Sequence, residues 1–386
     1  MGFMQIEIMI KELGEIITGN TPSKKKQEFW KSKDIFFVKP DSISDNSVNI
    51  IRDSNEYISE EAREKARIAS QNSIFVTCIG SIGKIGIAAE GEFAFNQQIN
   101  VVVTNENINP KYLAYNLLFN KPRLRKIANA PVVPIINKSQ FGEFTVKIES
   151  DIKKQTEIVY VLEKISNIVK HRMNELEMLD NLIKARFVEM FGDPVSNPYG
   201  LPEATLPELG EFGRGASKHR PRNDPKLLGG EYPLIQTGDV ANAGLYITSY
   251  NSTYSELGLK QSKMWHKGTL CITIAANIAR TAILEFDACF PDSIVGFTAN
   301  EKTNNIFIHY WFTFFQAILE AQAPESAQKN INLRRLSELK VIVPEKEKQD
   351  KFVEFIRQVD KSKVVVQKAL DEAQLLFDSL MQEYFG

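Results

Sequence analysis

Two loops concentrate the side chains best suited to phosphates and base edges. Thr18-Gly19-Asn20-Thr21-Pro22-Ser23-Lys24-Lys25-Lys26 is rich in turn formers and ends in three lysines. Arg214-Gly215-Ala216-Ser217-Lys218-His219-Arg220-Pro221-Arg222 stands at the related place in the second half of the chain. Short hydroxyls (Thr21, Ser23, Ser217), glycine amides and cations (Lys24, Lys25, Lys26, Lys218, His219, Arg220, Arg222) can all meet a nucleic-acid backbone, and arginine can also read guanine through two hydrogen bonds. Lys121, Arg123, Arg125 and Lys126 form a third basic cluster just after a helix, and the matching area around Gln316–Glu320 lacks it. A single charge run is commonly a solvated face, but two basic loops at corresponding places point to binding. Gly80–Gly86, with Lys84, corresponds to Ala275–Arg280, with Asn277 and Arg280. Each sets one cation between two strands, and a tight hairpin and a nucleic-acid contact fit it equally.

No catalytic constellation and no metal site emerges. His171, His219, His266 and His309 have no metal-ligand spacing with one another or with cysteine, and His171, inside an amphipathic helix, reads as structural. Gly80–Gly86 lacks the spacing and the Gly-Lys-Ser/Thr ending of a Walker A loop, and Gly213-Arg214-Gly215 is too short for a dinucleotide fingerprint. Asn197-Pro198-Tyr199 lacks the second proline of the amino-methyltransferase motif and follows a helix stop. Asn137 reads as a helix N-cap, with Gln140 closing a capping box. Trp30, Trp265 and Trp311 read as core or partner anchors rather than base-stacking platforms.

These residues must be held by sizeable cores. The chain has 386 residues, 43% hydrophobic and 25% charged, with a formal net charge of −1. A near-zero sum does not argue against nucleic-acid binding, because local patches decide it. No run of 18 apolar residues exists, the start Met1–Glu7 lacks the pattern of a signal peptide, and Cys78, Cys271 and Cys289 are too few and scattered for a disulfide framework. The expectation is a soluble cytoplasmic protein.

The chain is written twice. Leu13-Gly14-Glu15 recurs as Leu209-Gly210-Glu211, Ile74–Thr77 as Leu270–Thr273, Ile136-Asn137 as Ile331-Asn332, Lys154-Gln155 as Lys348-Gln349, and Phe191-Gly192 as Phe385-Gly386, at offsets drifting from 196 to 194. Each copy ends in a long stretch with helical periodicity. In the first, Leu162, Ile165, Val169, Leu176, Leu179 and Ile183 fall at a and d spacing, with Arg172 and Arg186 breaking the seam. In the second, Ile356, Val359, Leu370 and Phe377 match Leu162, Ile165, Leu176 and Ile183, Val366 and Leu380 replace the two arginines, and Lys363 stands in the place of Val169. The two helices could lie separately on their own domains; antiparallel pairing is favoured, which sets the globular parts at opposite ends of a rod of roughly 55 Å. The reading is therefore α+β, with an internal pseudo-two-fold repeat. Mixed α/β domains span 1–150 and 193–344, and spacer helices span 151–192 and 345–386. Strands are expected at Ile35–Val38, Ile74–Thr77, Ile99–Val103 and Leu270–Ile274, and helices at Asn109–Leu118 and Ile306–Leu319.

Several further strings recur in one known order: Gly19-Asn20-Thr21-Pro22-Ser23 then Phe29-Trp30, Ile79–Gly86, Phe95-Asn96-Gln97-Gln98, Met190-Phe191-Gly192-Asp193-Pro194, Lys329–Leu333, and Val343–Gln349 opening the last helix. Over essentially its whole length the chain resembles the specificity (S, HsdS) subunits of type I restriction-modification systems. Arg214–Arg222 departs from that pattern by lacking the Thr-Pro-Ser form. The resemblance implies that each globular part is a target recognition domain reading one half of a split double-stranded DNA sequence through the major groove. The paired helices then fix the gap, about 16 base pairs at most for the rod above. It also implies docking of two methyltransferase (M) subunits, joined by restriction (R) subunits. S-adenosylmethionine, ATP and Mg belong to those partners, leaving this chain non-catalytic and without a cofactor. Two other classes compete: an orphan interaction scaffold that no longer reads DNA, and a self-contained methyltransferase, whose cofactor loop and Pro-Pro motif are absent.

Overall fold

The computed structural model describes residues 5–128, 133–222, 224–275, 277–321 and 331–386. Met1–Met4 of the chain start, Ala276, and Lys329 and Asn330 of the Lys329–Leu333 string lie outside the described residues. The chain divides into two compact units, Met1–Met173 with Lys368–Gly386, and Asn174–Gln367.

The first unit holds a five-stranded sheet in the order Gly14–Thr18, Ile99–Thr104, Ile74–Thr77, Ile85–Ala88, Asn49–Ile51. Beside it are a four-stranded sheet, Glu56–Ile58, Ile35–Val38, Phe93–Phe95, Ile68–Ala69, and a pair, Gln5–Met9 with Thr145–Glu149. The second unit repeats all three. Its five-stranded order is Gly210–Arg214, Ile294–Ala299, Leu270–Thr273, Thr281–Leu284, Tyr246–Ile247, its four-stranded order Ser252–Tyr254, Leu228–Leu234, Ala288–Cys289, Met264–Trp265, and its pair Glu203–Thr205 with Lys340–Ile342. Ile74–Thr77 and Leu270–Thr273 are buried at every position, which is why they read as unbroken apolar runs rather than alternating ones.

The repeated residues have physical reasons. A Cβ on Gly14 would lie 2.2 Å from the Val103 carbonyl oxygen, and one on Gly210 2.1 Å from that of Thr298, so neighbouring backbone excludes any side chain there. Asn137 and Asn332 are helix caps, accepting from the backbone N–H groups of Gln140 (2.9 Å) and Arg335 (2.8 Å). Gln155 and Gln349 are fully buried. The side-chain amide of Gln155 donates to the Glu149 carbonyl (2.8 Å) and accepts from Asn109 N–H (2.8 Å). That of Gln349 donates to Pro344 (2.8 Å) and Lys302 (3.0 Å) and accepts from Thr303 Oγ1 (2.9 Å). Each glutamine thus ties the start of a long helix to the loop beside it.

Those helices are Ile152–Phe191 and Lys346–Phe385. In the first unit, Ile158, Val159 and Leu162 share a core with Met381 and Phe385, and Phe377 stands 6.2 Å from Tyr115. In the second, Ile183, Phe187 and Phe191 share a core with Phe352, Ile356 and Val359. Early residues of one helix meet late residues of the other in both units, so the helices pair antiparallel. Leu162, Ile183, Ile356, Val359 and Val366 are buried; Ile165, Val169, Leu176, Leu179, Leu370, Phe377 and Leu380 are half-buried. The seam breaks find partners: Lys363 lies 2.6 Å from Asp180, and Arg186 sits 5.8 Å over the Phe355 ring. Phe187, Phe191, Phe352 and Phe385, outside the expected seam, are the aromatic plugs joining helix to globular core. His171 is exposed on its helix.

Candidate nucleic-acid interface

In the first unit the chain leaves the edge strand Gly14–Thr18 at Gly19, where a Cβ would fall 2.2 Å from the Asn96 carbonyl oxygen. Thr21 Oγ1 donates to Gln97 Oε1 at 2.8 Å. Lys24 pairs with Glu56 at 3.1 Å and lies 5.1 Å over Trp30, while Lys26 lies 5.0 Å over Phe29. Ser23 and Lys25 are exposed. Glu56 also accepts from Lys39 at 2.5 Å, and these two lysines, Lys39 foremost, hold its carboxyl below the usual range.

The segment after Lys39 reaches the Gly80–Gly86 hairpin. Lys84 Nζ donates to the Pro40 carbonyl at 3.0 Å, Lys121 Nζ to Asp45 Oδ1 at 2.9 Å, and Arg125 Nη2 lies 3.7 Å from the same carboxylate. Lys121 is buried, so this member of the basic cluster is structural. Lys84 is half-buried and tied to backbone. Arg123 lies 4.9 Å over Phe144, and with Lys126, Gln140 and Glu143 it lines a groove of about 690 Å³.

In the second unit Gly215 repeats the close approach, its Cβ position lying 2.3 Å from the Phe290 carbonyl oxygen. Three arginines surround Asp292. Arg214 Nε donates to its carbonyl at 2.8 Å, Arg222 Nη2 stands 2.6 Å from its carboxylate and Arg220 Nη2 3.6 Å. Arg220 Nη1 also donates to the Ser217 carbonyl at 2.6 Å. His219 pairs with Asp224 at 3.1 Å. Lys218 is exposed, whereas Ser217 is buried, so its hydroxyl faces inward rather than outward. Asn277 and Arg280 are exposed on the hairpin after Thr273.

The structure joins basic loop and hairpin in each copy through one short segment. Gln97 takes the Thr21 hydroxyl, and next to it the Gln98 carbonyl accepts the Cys78 N–H at 2.7 Å, just before Gly80–Gly86. Asp292 holds Arg214 through its carbonyl and pairs with Arg222 and Arg220 through its carboxylate, and next to it the Ser293 carbonyl accepts the Ile274 N–H at 3.0 Å, just before Asn277 and Arg280. Gln97 and Asp292 are equivalent at offset 195. Neither stands out in the sequence by residue type, although Phe95–Gln98 stands out as a string; Lys39, Asp45 and Glu56 carry no signal there.

Among the described residues no group of three or more His, Cys, Asp or Glu side chains converges as a metal site. The three cysteines are free and buried, and burial pushes the Cys78 thiol up to about 12. Trp265 and Trp311 are buried, and Trp30 is half-buried with its ring 5.1 Å from Phe37.

The type I restriction modification DNA specificity domain matches residues 6–178 and again 203–373. The chain belongs to that family. Over 180 residues it is 30% identical to the EcoR124I/EcoR124II specificity subunit of Escherichia coli, covering 44% of this chain and 43% of that protein, so the chain spans less than half of that relative. Over 372 residues it is 21% identical to the putative MjaX specificity subunit of Methanocaldococcus jannaschii, covering 91% and 85%. The crystal structure of the type I restriction-modification S subunit from M. genitalium shares the fold, with a TM-score of 0.59 at 15% identity over 100% of this chain and 97% of that one. Among the described residues no helix is long and apolar enough to cross a membrane.

Proposed function

We propose that this chain is the DNA-reading specificity subunit of a type I restriction-modification enzyme. Each globular part reads one half of a split double-stranded target, and the paired helices set the gap. The observation that carries this reading is the placement of two basic loops at the same edge-strand exit of two topologically identical units, Thr18–Lys26 and Arg214–Arg222. Exposed cations at one end of a rigid sheet are suited to phosphate contact, and arginine forks to base edges. Two M subunits dock on the helices and domain flanks, and R subunits join them. S-adenosylmethionine, ATP and Mg serve those partners, and this chain catalyses nothing itself. The complex works in the cytoplasm.

The test is DNA binding by the full chain with and without M subunits, across salt, together with methylation mapping in a host expressing both. A split methylated motif and a salt-dependent, sequence-selective shift are expected. A complex with no sequence preference would reject the reading in favour of a scaffold, and S-adenosylmethionine binding by the isolated chain would point to a methyltransferase.

A further inference from the structure

We infer that Asp292 is a positioning residue that sets base selectivity in the second unit by holding its arginines. This rests on the reading that the unit reads one half-site. One half-buried carboxylate stands 2.6 Å from Arg222 and 3.6 Å from Arg220, and the carbonyl of the same residue accepts from Arg214 at 2.8 Å. Two guanidinium groups at one carboxylate, with a third on the backbone carbonyl of the same residue, leave the cluster cationic, so it still attracts DNA. A free arginine must give up rotamer freedom to place its planar fork against a base; one already fixed in the protein gives up less. Fixing also narrows which base edge the fork can meet, which is what selectivity requires.

The first unit shows what the same position does without charge. Gln97 accepts the Thr21 hydroxyl at 2.8 Å, and the cations there are lysines, point charges suited to phosphate rather than to one base. The repeat thus keeps a latch at one offset and changes its chemistry between copies.

The latch predicts a split effect. Asp292→Asn removes an anion beside the duplex, so non-specific affinity and its salt dependence rise, while Arg222, freed of its ion pair, discriminates less. A residue needed only for folding moves both downward. The experiment maps methylation by the full chain with its M subunits, wild type against Asp292→Asn. The expected motif loosens in one half only, with methylation at single-base variants of that half rising on the order of tenfold. Asp292→Glu keeps the wild-type motif. An unchanged motif in Asp292→Asn, or equal loosening of both halves, overturns the inference. If Asp292→Asn fails to accumulate, Arg222→Lys decides: it keeps the charge and loses the fork, and an unchanged motif overturns the inference equally. No split motif from the wild-type chain is a different result, which removes the function reading and this inference with it.

Discussion

The two hairpins beside the basic loops contain a matched experiment in backbone strain. In the first, Gly83 donates its N–H to the Thr77 carbonyl at 2.9 Å with φ +77°; in the second, Ala279 donates to Thr273 at 2.8 Å with φ +57°. An L residue in the left-handed region costs about 1–2 kcal/mol. Ala279→Gly removes that cost. It adds about 0.5–1 kcal/mol of backbone entropy and loses about 0.8 kcal/mol for a buried methyl, since Ala279 is 3% exposed. These contributions nearly cancel, so Ala279→Gly is expected within about 1 kcal/mol of neutral. Ala282→Gly, at a fully buried position in the strand Thr281–Leu284, has no strain to release and is expected to cost about 1.5 kcal/mol. The reverse change is harsher. Gly83→Ala acquires the left-handed cost and places a Cβ 2.8 Å from Lys121 Cγ. Lys121 is buried and held by Asp45, so it yields little; a loss of about 2–3 kcal/mol is expected. Because a chain of two units does not unfold as one, the readout is amide hydrogen exchange at Ile74–Thr77 and Leu270–Thr273 with urea melts alongside. Ala279→Gly costing as much as Ala282→Gly would refute the reasoning.

Other perturbations address the interface and the helices. Replacing Lys24, Lys25 and Lys26 by Ala is expected to weaken DNA binding of the complex about uniformly across sequences, and to flatten its log–log salt slope by about 2–3, measured by anisotropy titration. Adding one heptad to each long helix at facing positions lengthens the pair by about 10 Å, and the methylated motif's gap should widen by about three base pairs; an unchanged gap would show that the helices are not the ruler. Burial pushes His309 down to about 4, with Thr281 Oγ1 2.9 Å from its Nδ1. The unfolded chain takes up that proton below about pH 6.5, so the neutral ring's contribution is full above that pH and is lost as pH falls toward 4, by about 1–3 kcal/mol. His309→Asn should remove this part of the acid sensitivity in pH-dependent urea melts.

Much of the fold was legible because it rests on local or periodic signals. The heptad spacing of Leu162 to Ile183 survives Arg172 because a seam needs most of its positions apolar, not all. Asn137 reads as a cap because its partner, Gln140, is three residues away. The repeat exposed Gly14 and Gly210 without saying why: the reason is a backbone oxygen on a strand about ninety residues later. The aromatic plugs Phe187, Phe191 and Phe352 are illegible for the opposite reason. They face the globular core as well as the partner helix, so a single-stripe search does not select them.

The interface was legible in composition and hidden in geometry. Sequence identifies which residues are cationic but not which cations are already bound. Lys25, Lys84 and Lys121 look alike in a string of letters. Lys25 is exposed, Lys84 is tied to the Pro40 carbonyl, and Lys121 is buried against Asp45, 76 residues away. The same distance hides Asp292, 78 residues from Arg214, and makes Arg214–Arg222 look like a free basic loop. A loop of free cations grips any phosphate backbone with equal strength. A carboxylate placed among the arginines sacrifices some of that grip, because it cancels charge, and fixes where the remaining donors point. Whether a basic loop grips or reads therefore depends on its anions, and those come from distant strands that only the fold brings alongside.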